Sequence, residues 1–289
     1  MLLEIFCSVA IFSLIPVAIK FTNANPMTIG FFRLLTASLL LSLFWNKKIH
    51  FNAYKKKGFW KLLLIGIAFF SHWMTYTFSI KLAGPSICVL GMATYGVQLI
   101  FYGSYFLGYK TTKKNIFCLL LILFGALIVV PSWSFQNQTT LGLLLALLSA
   151  SFYSTIPILL QKSPEFSEAT RIFFQFSIAL VGYTFLIPMT DWRGLVSQDW
   201  YTLLFLGILG TFVAHTLWSR VVSKLPTTTT GIIYYTITPI AMILSGIILG
   251  EKLTFKQQVG GLIILGAALV NSLNQDRLKW VYKKLFSNN

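Results

Sequence analysis

The chain has 289 residues, of which 56% are hydrophobic and 10% are charged, and its formal net charge is +16. A typical soluble domain carries about 25% charged residues, and so few charges could not cover the surface of a water-soluble protein of this size. The composition therefore excludes a soluble enzyme, a disordered tail and a fibrous repeat. It indicates a chain solvated by lipid, in which a helix of about 20 apolar residues makes each bilayer crossing.

Ten apolar runs follow one another along the chain. The first run contains Glu4 and no basic segment, so we expect a spanning helix there and not a cleaved signal peptide. Every run should be an α-helix, because lipid offers no hydrogen-bond partner to open backbone groups. The sequence thus predicts an all-α membrane protein with ten transmembrane helices, at residues 2–20, 28–45, 60–80, 86–107, 115–131, 140–160, 170–189, 200–219, 228–249 and 256–273.

The positive charges predict the orientation of these helices. When the ten runs alternate in direction, most of the 23 Lys and Arg residues fall on the side of the membrane that holds the N-terminus. Cytoplasmic loops are enriched in Lys and Arg, so both termini are predicted to be cytoplasmic. This distribution explains the basic charge without a nucleic-acid partner. We expect a multi-pass protein of a bacterial inner membrane, with lipid and a small molecule as partners, and a homodimer is left open.

The two halves of the chain match each other at an offset of about 142 residues. His72 stands nine residues ahead of one Lys-Leu pair and His215 nine residues ahead of another. Each half holds five predicted helices, an odd number, so the second half must enter the membrane from the opposite side. Inverted repeats are typical of secondary transporters, whose substrate site lies near the midplane. The predicted organisation is a first repeat at 1–132, a second at 138–275 and a basic cytoplasmic tail at 276–289.

Several positions of the second repeat resemble the C-terminal signature of the EamA-type transporters, which belong to the drug/metabolite transporter superfamily. These positions are Pro239, Gly250, Glu251, Thr254, Gln257, Gly260 and Gly266. Pro26, followed seven residues on by Arg33, is similar to the start of the family's repeat. The resemblance spans about residues 5–275, although Tyr109 stands where the family usually has Glu and Cys118 where it usually has Gly.

The resemblance implies a bundle with a central cavity, lined mainly by helices 1, 3, 4, 6, 8 and 9, and transport of small metabolites by alternating access. Amino-acid or related metabolite export is the first expectation, because it is common in this family. Import or exchange of S-adenosylmethionine or a similar organic cation is the alternative. Aromatic side chains, at 16% of the chain, suit such a cation.

Polar side chains within the apolar runs are the candidates for the substrate cavity. His72 lies in the middle of its run, where an imidazole could take a coupling proton, contact a carboxylate, or merely bond a neighbouring helix. Tyr76 lies on the same helix face, and Tyr95 and Gln98 share a face of the next helix. A polar stripe on a helix in lipid should face the bundle interior. The predicted cavity set is His72, Tyr76, Tyr95, Gln98, Tyr153, His215 and Tyr234.

Arg33 is the one full charge well inside a run, and two interpretations remain open for it. It could contact an anionic group of the substrate, or it could extend to the membrane surface or cap a neighbouring helix. Three prolines inside helices, Pro16, Pro157 and Pro239, are candidate kinks or hinges. Small residues spaced four apart let helix backbones approach, within the chain or in a dimer; these are Ser104, Gly108, Gly246 and Gly250.

Competing classes find little support in the sequence. It contains no HExxH, no GxSxG and no pair of mid-helix aspartates. We therefore assign no catalytic residue, metal ligand or cofactor, and an intramembrane enzyme is the less favoured alternative. A channel usually needs a ring of like groups or a pore built by several subunits, and neither pattern is present.

Overall fold

The computed structural model describes residues 1–108, 112–130, 132, 134–225 and 227–272. This part of the chain is helical and contains no strand. Its α-helices are α1 Leu2–Phe21, α2 Pro26–Trp45, α3 Phe59–Ala83, α4 Pro85–Met92, α5 Tyr95–Leu107, α6 Lys113–Val129, α7 Gln138–Gln161, α8 Glu168–Thr184, α9 Ser197–Gly207, α10 Ala214–Lys224, α11 Thr227–Tyr235, α12 Ile237–Leu249 and α13 Phe255–Ser272. The predicted basic tail and Tyr109 lie outside the described residues.

Each predicted apolar run coincides with one helix or with two consecutive helices of the structure. Six helical stretches of the described chain are long and apolar enough to cross a membrane, and Ile233–Leu249 is a shorter apolar stretch. Helices α6 and α8 have 17 residues each, which is the short end of the range for a crossing. The all-α membrane class is thus confirmed, whereas ten crossings in two inverted sets of five stay a prediction.

Two helices are interrupted at matching places in the two halves. The break between α4 and α5 lies at Ala93 and Thr94, and the break between α11 and α12 lies at Thr236, 142 positions after Thr94. Pro239 explains the second break, because it has no N–H to donate to the carbonyl four residues earlier. At the first break, the hydroxyl of Thr94 donates to the carbonyl oxygen of Gly91 at 2.8 Å. Discontinuous helices of this kind surround the substrate sites of many transporters.

Prolines elsewhere do not interrupt their helices. Pro16 and Pro157 are buried inside α1 and α7, and both helices continue past them. A different irregularity joins α9 to α10, where residues Ile208–Val213 form a π-helical segment. Hinge roles for the three prolines stay predictions.

Glycines bring corresponding helices of the two halves together. A Cβ placed on Gly260 of α13 would lie 2.6 Å from the carbonyl oxygen of Gly125 in α6. A Cβ on Gly231 of α11 would lie 3.2 Å from Cα of Gly96 in α5. Both pairs therefore need the missing side chain for the backbones to approach. At the far end of α6 and α13, the amide of Asn115 donates to Asn271 at 2.8 Å.

The small residues predicted to make such contacts have another role within the described chain. Gly108 and Gly250 end α5 and α12 with φ angles of +73° and +65°, a conformation that favours glycine. A Cβ on Gly108 or Gly250 would meet no atom within 4 Å, and a Cβ on Gly246 would lie 3.8 Å from the nearest atom of another residue. The Ser104 carbonyl accepts the N–H that closes the first of these caps. Within the described chain these three glycines therefore make no close backbone contact with another helix, and a packing role for the four positions, including a dimer contact, stays a prediction.

Polar contacts join the two halves at one end of the bundle. The buried carboxylate of Asp199 accepts hydrogen bonds from the Thr22 hydroxyl at 2.9 Å and the Asn23 backbone N–H at 2.8 Å. Glu251 accepts from the hydroxyl of Ser86 at 2.6 Å and from that of Ser245 at 2.5 Å. Asp199 and Glu251 belong to the second half, and Thr22, Asn23 and Ser86 to the first, so these bonds hold the halves together at this end.

The opposite end of the bundle is joined by an ion pair. Lys61 of α3 lies 2.8 Å from the Glu165 carboxylate in the loop after α7, and it also donates to the Lys162 carbonyl at 2.6 Å. Desolvation of Glu165 opposes its ionisation, but the hydrogen bond from Lys61 and nearby positive charges leave its pKa below the ordinary value. The Glu165 carboxylate is therefore ionised at neutral pH. Contacts between the halves are thus present at both ends.

Candidate substrate cavity

A small cavity lies inside the larger of the two apolar cores, between the two ends just described. Its polar and aromatic lining combines both halves of the chain. The volume is about 30 Å³, which is room for about two water molecules. The lining residues are Phe12, Ile15, Arg33, His72, Trp73, Tyr76, Val89, Met92, Tyr153, His215, Tyr234, Ile237 and Thr238.

Each of the six helices that the resemblance implied contributes to this lining. They correspond in the structure to α1, α3, α4, α7, α10 and the broken pair α11–α12. Helix α2 adds Arg33. The site thus draws on seven of the predicted helices, and a relative movement of the halves would change its shape.

Arg33 is buried in the cavity wall, with 2% of its surface exposed. Its Nε donates to the hydroxyl of Thr211 at 3.1 Å, and its Cζ lies 3.9 Å from the centre of the Trp73 ring. Among the described residues it has no carboxylate partner within ion-pair distance. Its burial and its place in the cavity lining favour the contact with a substrate anion over the extended or capping alternative.

His72 is held by a single residue of α7. Its Nδ1 lies 2.7 Å from the Ser149 hydroxyl and 3.2 Å from the Ser149 carbonyl oxygen, and that hydroxyl donates to the His72 carbonyl at 3.0 Å. A carbonyl oxygen can only accept, and the single hydroxyl proton is already used. Nδ1 therefore carries the proton and donates to Ser149. In the neutral ring this leaves Nε2 as an acceptor at the cavity.

His215 occupies the corresponding place in the second half but has different surroundings. Its ring packs edge-on against Phe12 and Phe69, with ring centres 4.8 and 5.0 Å apart, and it lies 5.6 Å from Trp73. No hydrogen-bond partner for its nitrogens is present in the described part of the chain. The two histidines thus share the cavity but are not equivalent in their contacts.

Tyrosine rings form the side of the cavity next to His72. Tyr153 stacks on the imidazole with ring centres 4.3 Å apart and planes 22° apart. Tyr76 lies 5.5 Å from the same imidazole, and Tyr234 lies 5.9 Å from Tyr153. Such a wall can contact an aromatic or aliphatic group, or a cation through the ring faces.

Two predicted cavity residues lie outside this lining. Tyr95 is fully buried behind the wall, 4.5 Å from Tyr234 and 5.2 Å from Tyr153. Gln98 donates to the Thr94 hydroxyl at 2.8 Å and to the Leu147 carbonyl at 3.3 Å. The helix face that carries Tyr95 and Gln98 points into the bundle, as the spacing indicates. It packs against α7, however, and not onto the cavity. Neither side chain lines the cavity of this structure, because helical spacing cannot distinguish a neighbouring helix from a central space. A substrate contact by either residue stays a prediction.

Two hydroxyl groups that support the site escaped the sequence analysis. Ser149 orients His72, and Thr211 binds the guanidinium of Arg33. Each is a single small polar residue in an apolar run. No pattern distinguishes them from the many other Ser and Thr residues that bond their own helix backbone.

A helical membrane protein with a cavity that both halves line, and with Arg33 and two histidines in its wall, has the construction of a carrier for small molecules. The model of the EamA-like transporter family matches residues 1–130 and 140–273, and the chain belongs to this family. It is therefore a membrane transporter of small molecules in the drug/metabolite transporter superfamily and not an enzyme.

Solved structures share the fold. One crystal structure matches 96% of this chain and 98% of its own, with a TM-score of 0.68 and 17% sequence identity. At that identity the likeness shows the fold alone. No curated protein matches the chain.

Proposed function

We propose that this transporter moves a small metabolite with a carboxylate group, foremost an amino acid, out of a bacterial cell across the inner membrane. The observation that carries the proposal is Arg33, a buried guanidinium in the cavity wall without an acidic partner among the described residues. A buried charge is costly unless it is paired. A substrate carboxylate supplies the missing charge, and arginine presents two parallel donors that match its geometry.

The rest of the lining suits the other parts of an amino acid. The free Nε2 of His72 can accept a hydrogen bond from an ammonium group, and the tyrosine rings offer an apolar wall to a side chain. The cavity of about 30 Å³ is too small for such a molecule, so the helices around it must move apart to admit one. This fits alternating access between two inverted halves, with the contacts at each end of the bundle broken in turn.

S-adenosylmethionine is the second candidate, and the aromatic lining favours it. It carries the same amino-acid carboxylate, and its sulfonium cation could lie against the rings of Tyr76, Tyr153 and Tyr234, at about 0.5–2 kcal/mol per contact. A mere organic cation without a carboxylate fits less well, because Arg33 would repel it. Both candidates would place a carboxylate at Arg33. They differ in the group that contacts the aromatic rings, which is an amino-acid side chain in one case and a sulfonium cation in the other.

The test is flux in proteoliposomes, with labelled amino acids and S-adenosylmethionine as probes. Replacing Arg33 with Gln should reduce saturable uptake by about tenfold or more, since a hydrogen bond to a charged group contributes roughly 1.5–3 kcal/mol. Arg33→Lys keeps the charge but not the paired donors and should be intermediate. Arg193→Gln, at an exposed loop position, is the matched control. Flux through Arg33→Gln equal to that of the unaltered protein would refute the carboxylate contact.

A further inference from the structure

Thr211 lies in the π-helical segment between α9 and α10 and is fully buried. Its hydroxyl donates to the Leu206 carbonyl oxygen at 2.7 Å, five residues earlier, and accepts from Nε of Arg33 at 3.1 Å. A hydroxyl has one proton, so the bond to Leu206 leaves its lone pairs for the guanidinium, which can only donate. The local backbone thus turns the Thr211 oxygen into a fixed acceptor for Arg33.

The π-helical turn belongs to the second half, and it distinguishes the contact with Arg33 from the pseudo-symmetric one. Threonine in a regular α-helix usually bonds the carbonyl three or four residues earlier, whereas Thr211 reaches the fifth. The corresponding helix of the first half, α3, is a continuous α-helix. The residue that matches Arg33 in the second half is Gln175, whose Oε1 is buried without a hydrogen-bond partner. The irregular helix of the second half therefore pairs with the buried arginine of the first half, and the pseudo-symmetric pair, α3 and Gln175, has neither feature.

The contacts of Arg33 fix the plane of its guanidinium. One face lies on the Trp73 ring and Nε is bonded to Thr211, which restrains rotation of the group about its own axis. The two terminal nitrogens have no hydrogen-bond partner among the described residues, and Arg33 is one of the residues that line the cavity. A carboxylate that approaches from the cavity would therefore meet two parallel N–H donors without reorganisation of the side chain.

We infer that Thr211 is a positioning residue for substrate recognition: its hydroxyl holds Arg33 against Trp73 so that the terminal nitrogens face the carboxylate of the substrate. This inference rests on the proposed function for its carboxylate part. The orientation of Arg33 by Thr211 can be measured without any substrate.

The first measurement is proton exchange at the arginine side chains. The chain has five arginines, so ¹⁵N-arginine labelling in lipid nanodiscs gives a simple spectrum, in which Arg33→Gln identifies the Arg33 Nε–H signal. That proton should exchange slowly with water in the unaltered protein and in Thr211→Ser, which keeps the hydroxyl. It should exchange at least about tenfold faster in Thr211→Val, which keeps the shape and loses the acceptor. Equal exchange in Thr211→Val and the unaltered protein would overturn the inference.

The second measurement is uptake of the carboxylate probe that gives saturable flux with the unaltered protein. Thr211→Val should raise its KM by about tenfold with kcat changed less than about twofold, and Thr211→Ser should restore the KM. Thr216→Val is the matched control, because it removes a buried hydroxyl of α10 that has no hydrogen-bond partner. Faster Nε–H exchange with unchanged KM would overturn the role in recognition. Absence of flux for every carboxylate probe would refute the proposed function and the carboxylate part of this inference, and the exchange rates would still decide the role of Thr211.

Discussion

At the scale of single residues, the hydrogen bonds around His72 determine what its imidazole can do. Ser149 accepts the Nδ1 proton, so Nε2 of the neutral ring is an acceptor at the cavity. His72 is thus suited to accept a hydrogen bond from the substrate. The cavity would then present donors at Arg33 and an acceptor at His72, which matches a molecule with a carboxylate and an ammonium group.

Two substitutions at His72 separate its two nitrogens. Asparagine places an amide N–H near the position of Nδ1 and keeps the donor to Ser149 but removes the acceptor, whereas glutamine reaches the position of Nε2. We expect His72→Asn to lower amino-acid uptake by about tenfold, the size of one hydrogen bond to a charged group. His72→Gln should retain more of it. Proteoliposome flux measures both.

The control for this prediction is a modified substrate. Uptake of an N-acetylated amino acid, which lacks the ammonium group, should be the same in His72→Asn and in the unaltered protein. Equal losses for the free and the acetylated amino acid would show that the substitution damages the fold and not the acceptor contact.

At the scale of helices, the contact between α6 and α13 depends on two glycines. Gly125 and Gly260 let the two backbones meet, since a Cβ on Gly260 would lie 2.6 Å from one backbone atom of α6 and 3.0 Å from another. Backbone atoms cannot move aside as a flexible side chain can. The helices would have to separate, and the apolar core between them, which includes Ile122, Ala126 and Ile264, would lose contacts.

We therefore expect Gly260→Ala to destabilise the protein by about 1–3 kcal/mol, the usual cost of overpacking. Gly266→Ala in the same helix is the matched control, because a Cβ there would meet no atom within 4 Å. Alanine is also the better helix former, by about 1 kcal/mol. Thermal unfolding in detergent should show a lower Tm for Gly260→Ala and an equal or higher Tm for Gly266→Ala. A Tm for Gly260→Ala at or above that of the control would contradict the close contact.

At the scale of the whole molecule, the two ends of the bundle differ in charge. Lysines gather at the end that holds Glu4 and Glu165, and the positive-inside rule assigns this end to the cytoplasm. The other end holds Asp199 and Glu251. A transporter that alternates must break the polar contacts of one end while keeping those of the other, so the orientation decides which set opens to the cell exterior.

Labelling with a membrane-impermeant maleimide tests this orientation. Lys57 and Lys252 are exposed at opposite ends, and each is replaced by Cys in a chain from which Cys7, Cys88 and Cys118 have been removed. In intact cells we expect Lys252→Cys to react and Lys57→Cys to react only after permeabilisation. The reverse pattern would place the termini outside. Equal labelling of both in intact cells would contradict a crossing between them.

The sequence predicted the positions of the helices more completely than the residues that line the cavity. Helix positions followed from apolar runs because lipid requires closed backbone hydrogen bonding. Pro239 indicated a kink near Thr236, whereas the interruptions at Thr94 and Ile208–Val213 escaped the sequence analysis. The cavity was predicted in part: His72, Tyr76, Tyr153, His215 and Tyr234 line it, with Arg33, whereas Tyr95 and Gln98 do not. Periodicity indicates which face of a helix points inward, but it does not say which helix that face meets.

The sequence by itself determined the membrane class, the helical runs, the similarity of the two halves and the family. These properties depend on composition, local spacing and order along the chain. Only the tertiary structure decided the contacts between Arg33 and Thr211 and between His72 and Ser149, which join residues 178 and 77 positions apart. Such contacts depend on how the two halves pack, and the one-dimensional pattern of apolar and polar residues contains no record of that packing.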